Sequence, residues 1–423
     1  MHTINVTVAC LAGLALVMTL FAHGLRLRWI NEPLLALALG VFLGPEVVGW
    51  LDLAKYGEPP EILEAVARFT LVLTLVAVGL ELHGSLSRQW RSLTVLILGG
   101  TALMWGASSL LVGWLLGLDP QPALLVGAVL APIDPILTAT VSTGRIAREN
   151  LPERLRHLLS AESAARHGLG LLVVLLPVLL ITESEPGAWQ QWLSEVLLWK
   201  GLVALVVGAV AGYAVARAER WSAERGYAET ATGPLGALFL VLALALGSLV
   251  ELMESDGAVA VLVAGVVFAA VRTGAAREDD LEGQQRNYEQ LLKQVIQVPV
   301  FALLGAALPW AEWAELGWRG VVLIGAILLL RRIPAVLLLK PLVGQLRGWD
   351  EALFVGGFGP IGVGGLYFAA VAHKETQDER VWVVATLLIA VTIVIHDVTA
   401  TPLSQWLGRR THDHHSEQIT GVR

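Results

Sequence analysis

An all-α protein that crosses a bilayer about thirteen times is the fold class this sequence predicts, and three observations predict it. Hydrophobic residues make up 55% of the 423 residues and charged residues only 15%, where a soluble protein of this size carries about a quarter charged. Apolar runs of about 20 residues, the length of a helix that spans hydrocarbon, recur from end to end. The basic residues crowd into every second loop between those runs. The formal charge of −7 says little, because charge here is sorted by side of the membrane.

In chain order the runs lie at 4–22, 34–52, 62–80, 92–117, 122–143, 155–181, 193–217, 234–250, 257–271, 294–309, 318–339, 352–372 and 381–406. No Lys or Arg precedes the first run, so it reads as a retained helix rather than a cleaved signal peptide. It carries Cys10, the single cysteine, so no intramolecular disulfide framework exists. The next three runs are apolar and of spanning length. The fifth is interrupted at Leu130-Ala131-Pro132-Ile133-Asp134-Pro135, the sixth holds a polar cluster, and the eleventh holds Arg331 and Arg332. The twelfth is broken by glycines. The longest polar linker, Arg272 to Lys293, reads as an amphipathic interfacial stretch. Residues 1–410 are expected to form one transmembrane domain, and 411–423 a short cytoplasmic tail. The tail's His412-Asp413-His414-His415 reads as solvated rather than as a metal site.

Loops after odd-numbered runs hold most of the basic residues, among them Arg26, Arg28, Arg145, Arg148, Arg154, Arg156, Arg217, Arg220, Lys340 and Arg347. The other loops and their flanks hold Lys55, Arg68, Lys200, Arg319, Lys374 and Arg380, and several are acidic, such as Glu183-Ser184-Glu185. Positive-inside bias therefore places the N-terminus outside and the C-terminus in the cytoplasm of a multi-pass cell (inner) membrane protein.

The break in the fifth run is the most informative feature. Proline removes a backbone donor and disrupts helix geometry, and a buried charge is costly in lipid. A carboxylate between two prolines at bilayer depth points to backbone that lines a cavity and an acid that handles an ion or proton. The twelfth run reads Gly356-Gly357-Phe358-Gly359-Pro360-Ile361-Gly362-Val363-Gly364-Gly365, which will not hold a regular helix. Paired interruptions in corresponding halves are the pattern of an inverted-repeat transporter, with half-helix ends meeting at a midplane site. Close helix packing through small residues is the simpler reading of the glycines.

In the sixth run Glu162 and Arg166 are four apart and share a helix face, with Ser163 and His167 beside them. A structural network pairing Glu162 with Arg166 or Arg332 would explain the cluster. The functional reading makes Asp134 and His167 titratable groups beside a water-filled cavity, histidine being suited to carry protons near neutral pH.

With these residues in place the chain resembles the monovalent cation:proton antiporters of the sodium/proton exchanger type, over nearly its whole length. Asn31-Glu32-Pro33 through Gly44-Pro45 looks like that family's second span, and Gly79-Leu80-Glu81-Leu82 like the end of its third. Ile133-Asp134-Pro135 sits where the family has Thr-Asp-Pro, and Glu162-Ser163 in its Gly-Glu-Ser stretch. Arg332 with Val336 resembles its Arg-x-x-x-Val span. His396-Asp397-Val398-Thr399-Ala400-Thr401-Pro402-Leu403 resembles its final His-Gly-x-Thr-x-x-Pro-Leu. The resemblance implies exchange of Na⁺, Li⁺ or K⁺ for H⁺ by alternating access. It implies two crossed broken helices in a core that moves against a dimerisation domain, and a homodimer. It makes Asp134 an ion- and proton-binding carboxylate, pairs Glu162 with Arg332, and places Ser163 near the site.

Two departures stand out. Arg166-His167 replaces the family's Asn-Asp or Asp-Asp, so the main ion-binding carboxylate is missing. Ile133 replaces the threonine and removes an oxygen ligand. An Arg166–Asp134 pair would compete with a bound cation, since two unit charges at about 4 Å interact by roughly 4 kcal/mol at an effective dielectric of 20. Hard cations prefer oxygen ligands, and His167 offers nitrogen. Three readings follow. One is a cation:proton antiporter with a rebuilt site, in which Arg166 stands in for a bound cation or turns to Glu81 and His167 carries the proton. Another is a proton-coupled carrier of a different solute, such as an anion. The last is a non-transporting sensor or accessory homologue. No His-Glu-x-x-His, Gly-x-Ser-x-Gly or P-loop pattern suggests an enzyme, and no cofactor, metal or nucleic-acid partner is implied.

Overall fold

Helices follow the apolar runs because in hydrocarbon every backbone group must be satisfied within its own segment. The computed structural model describes residues 2–26, 31–225, 235–273, 288 and 292–420, and no strand occurs among them. Six helices are long and apolar enough to cross a membrane by themselves. A bent pair at the fifth run makes a seventh crossing, and five shorter apolar helices accompany them.

One bundle gathers the scaffold. It comprises α1 (His2–Arg26), α2 (Glu32–Leu43), α3 (Pro59–Thr94), α10 (Ala204–Glu224), α11 (Leu235–Leu252), α12 (Gly257–Thr273) and α13 (Val298–Ala306). Its seams are small residues. α2 packs chiefly along α13, where Gly40 lies against the Ala302 backbone and Gly305 against that of Leu37. α3 meets α12 at Gly79 and Gly265, each facing the other's backbone. Backbones approach this closely only where a Cβ is missing.

The second bundle holds both interrupted helices. It includes α4 (Thr101–Leu116), α5 (Pro120–Leu130), α6 (Pro135–Ser142), α7 (Gly144–Asn150) and α8 (Glu153–Thr182). It continues through α15 (Gly317–Leu330), α16 (Ile333–Leu339), α17 (Trp349–Gly357), α18 (Val363–Thr376) and α19 (Glu379–Thr420). The short helix α14 (Trp310–Glu315) connects crossings, and α9 (Glu185–Gln191) runs on through Trp192–Val203 into α10 as the start of one span. The axes of α5 and α6 differ by 42° at the break. α3 and α8 bring the two bundles into contact.

Several boundaries differ from the sequence expectation. The second run was expected to span 34–52, but α2 ends at Leu43. Gly44 closes it and Pro45 supplies no donor to continue it. Residues 411–420 are helical and continuous with α19. Most of the interfacial linker expected between Arg272 and Lys293 lies outside the described residues; of its interior only Thr273, the end of α12, and Tyr288 and Leu292, both buried, are within them.

Candidate functional site

Pro132 and Pro135 stop the ladder of the fifth crossing, and Asp134 takes over the first turn of α6. Its Oδ1 accepts from Ile136 N at 2.8 Å and Leu137 N at 3.0 Å. That is helix capping by an anion, favoured by the dipole at a helix N-terminus. The Asp134 N–H donates to Pro360 O at 2.9 Å, so the two breaks cross and touch through their backbones. Oδ2 of Asp134 is buried and has no hydrogen-bond partner.

The second break is built to face this carboxylate. A Cβ at Gly362 would lie 2.5 Å from Asp134 Oδ2, and one at Gly364 would strike the His167 ring. Glycine therefore lets both polar groups approach the chain. Helix α19 props the break from behind. The Gly359 N–H donates to His396 Nε2 at 3.3 Å, and the Ile361 N–H donates to Thr392 Oγ1 at 3.3 Å. His167 is 1% exposed, lies 6.3 Å from the Phe368 ring, and neither ring nitrogen has a partner. Two orphaned polar groups buried side by side on one glycine-rich break depart from the rule that buried polar atoms are satisfied.

The three buried arginines all find partners. Arg332 grips Glu162 with both terminal nitrogens, at 3.1 and 2.9 Å, and its Nε donates to Val355 O at 2.8 Å. Arg166 Nη2 meets the same carboxylate at 3.0 Å and donates to Leu96 O at 2.5 Å; Nη1 meets Met104 Sδ at 2.7 Å. Leu96 lies in a π-helical turn, Val95–Gly100, whose wider ladder offers a carbonyl to an outside donor. Arg166 thus pairs with Glu162 rather than with Asp134, because one helical turn separates the two partners on α8. Arg331 donates to Leu130 O and Gly359 O. It joins the carboxyl end of α5 to the second break, where the half-helix dipoles are negative.

A cavity of about 310 Å³ approaches the first break from the end that carries Arg145. Asn31, Glu32, Thr140, Gln297 and Thr401 line it, and it stops at Ile136. A narrower crevice of about 40 Å³ adjoins it along Ile136, Ala139, Thr143 and Gln297. Glu81, Ser160 and Ser163 line the crevice, together with Pro135. Ser163 donates to Ser160 O at 3.1 Å and so faces the crevice rather than Asp134. Ile133 is buried against Met104 and Ala335 and supplies no oxygen.

The geometry brings together Asp134 and His167 on the breaks, and Glu162, Arg166 and Arg332 in a cluster beside them. Ser163 and Glu81 stand at the crevice. Sequence reasoning did not single out Arg331 as the bridge between breaks, nor Asp397. Asp397 caps another helix: its Oδ2 accepts from Leu34 N at 3.0 Å. The signal for Asp397 was a carboxylate at the position where the resemblance has glycine.

Interrupted helices that meet through their backbones around a buried acid, with a cavity opening towards them from one end, define the class of fold. The chain belongs to the transmembrane sodium/hydrogen exchanger family, whose model matches residues 12–406. Over 362 residues it is 31% identical to the Na⁺/H⁺ antiporter 2 of Zygosaccharomyces rouxii, covering 83% of this chain and 44% of that protein. A Na⁺/H⁺ antiporter of Schizosaccharomyces pombe is 26% identical over 411 residues, 89% of this chain and 85% of that one. The chain spans less than half the length of the first fungal relative. The solved structure of the sodium proton antiporter MjNhaP1 from Methanocaldococcus jannaschii shares the fold. Its TM-score is 0.73 at 19% identity, over 96% of this chain and 99% of that one.

Proposed function

We propose that this chain exchanges a monovalent cation, Na⁺, Li⁺ or K⁺, for protons by alternating access, with Asp134 and His167 as the groups that carry them. The observation that carries the reading is the pair of orphaned polar groups on the crossed breaks. Oδ2 of Asp134 and both ring nitrogens of His167 are the buried atoms there without a hydrogen bond. A carboxylate oxygen and neighbouring break carbonyls are hard ligands for a small cation. An imidazole takes a proton near neutral pH. A proton on His167 and a cation on Asp134 repel, so occupation of one favours emptying of the other.

Glu162 with Arg332 holds α8 to α16, and Arg166 adds a fixed positive charge where the family carries its second acid. Ser163 and Glu81 guide the ion through the crevice, and Ile133 keeps the far side of the break dry. The anion alternative loses support because the guanidinium groups of Arg166, Arg331 and Arg332 are committed to Glu162 and to backbone carbonyls. The same reading has thirteen crossings, an outside N-terminus, a cytoplasmic C-terminus and a homodimer held by the scaffold bundle.

Everted vesicles with a trapped pH dye test the proposal. Adding Na⁺, Li⁺ or K⁺ should collapse an imposed pH gradient, and Asp134→Asn and His167→Ala should each abolish the response. Asn still caps α6, so loss in Asp134→Asn reports on the charge and not on the helix start. Undiminished exchange in both variants overturns the site. A native protein silent to all three cations overturns the exchange.

A further inference from the structure

Asp397 sits in the middle of α19, within the bundle of the two breaks, yet its side chain serves a helix of the other bundle. Its Oδ2 accepts from Leu34 N at the start of α2. Its own carbonyl accepts from Asn31 Nδ2 at 3.2 Å. Its side chain is the one that caps α2, since Asn31 makes no cap bond there. The anion therefore meets the positive end of a helix whose main packing partner is α13 of the scaffold.

The contact lies in the wall of the cavity that approaches Asp134. Asn31, Glu32 and Pro33 line that cavity from α2, and Thr401, one turn beyond Asp397, lines it from α19. Resting on the alternating-access reading above, we propose that Asp397 is a positioning residue that latches the bundle of the breaks to the scaffold. The latch holds the carrier in the state whose cavity opens on the Arg145 side. Asp397 is 1% exposed, and its Oδ1 has no partner. Half of the carboxylate is thus desolvated without compensation, which keeps the latch releasable. In the opposite state α19 moves away from α2, and the start of α2 loses its anion.

The test uses the single cysteine to advantage. In a Cys10→Ser background, Thr140→Cys places one thiol on the cavity wall. Its rate of modification by a membrane-impermeant maleimide is measured in inside-out vesicles. Asp397→Ala should slow labelling about tenfold, and Asn31→Ala about threefold, as the population shifts to the state with the cavity closed. Labelling within twofold of the parent rate in both, or faster labelling in either, overturns the latch. Should Asp397→Ala fail to accumulate as a monodisperse protein, Asn31→Ala decides alone. No transported ion is needed for labelling. A failure of cation exchange is therefore read separately in the pH-dye assay and leaves this result standing.

Discussion

Replacing Glu162 by Gln should be the most damaging single change in the polar core. The carboxylate accepts two hydrogen bonds from Arg332 and one from Arg166, with the three side chains 1–3% exposed. Arg331 directly precedes Arg332 in the chain, so Gln leaves three guanidinium groups close together in a dry site with no carboxylate among their partners. Breaking a buried pair from one side costs about 3–5 kcal/mol, because the remaining charge stays buried and uncompensated. For a chain of this length about 2 °C per kcal/mol is a reasonable conversion, so the melting temperature should fall by about 6–10 °C. Arg166→Met is the internal control. It leaves Glu162 fully gripped by Arg332 and strands the Leu96 carbonyl, a cost of about 1–2 kcal/mol. Thermal unfolding followed by fluorescence-detected size exclusion in detergent orders the two. A Glu162→Gln protein that melts no lower than Arg166→Met would show that Glu162 is not the counter-charge of the cluster.

Arg331→Met removes the charged donor to Leu130 O and Gly359 O and should cost about 2–4 kcal/mol; Arg331→Lys, with three ammonium donors, should recover part of the lost melting temperature. Gly364→Ala pushes a methyl into the His167 ring. About 1–3 kcal/mol of overpacking and a loss of exchange in the vesicle assay are expected. In the α18–α19 loop, the hydrogen bonds from Arg380 hold the Asp378 carboxyl below the usual carboxylate range. Its folded pKa is lowered, so its contribution is full above the ordinary value of about 3.9 and fades as pH falls through the lowered value. Amide exchange of residues 377–381 should therefore quicken only in that acid window, and Asp378→Asn should remove the pH dependence.

Much of this molecule is legible in its sequence. Pro132, Asp134 and Pro135 announced the first break, and six glycines with Pro360 announced the second, because both patterns forbid a helix locally. The residues alone left Glu162 paired with Arg166 or Arg332, the resemblance implied Arg332, and in the fold the carboxylate meets both. Other features were not legible. Arg166 had three carboxylates within conceivable reach, and only packing on the π-helical turn at Leu96 decided for Glu162. Arg331 needed a partner that the sequence did not name, and it uses two carbonyls, an option that opens only when two helix ends are brought together. Asp397 looked like one residue of a terminal motif, since nothing local signals that a side chain caps a helix more than 360 positions away. The early end of α2 was written in Gly44-Pro45, yet hydropathy ran on past it.

The glycine seams of the first bundle have a mechanical consequence. Helices α2 and α13, and α3 and α12, touch backbone to backbone at Gly40, Gly305, Gly79 and Gly265. Interlocked main chains have no long side chains between them to swing or re-pack, so that half of the molecule is a stiff frame. Any travel between its working states is confined to the surface where the other half slides against it. A methyl group added at Gly40 or Gly79 would pry the frame itself apart rather than alter the stroke.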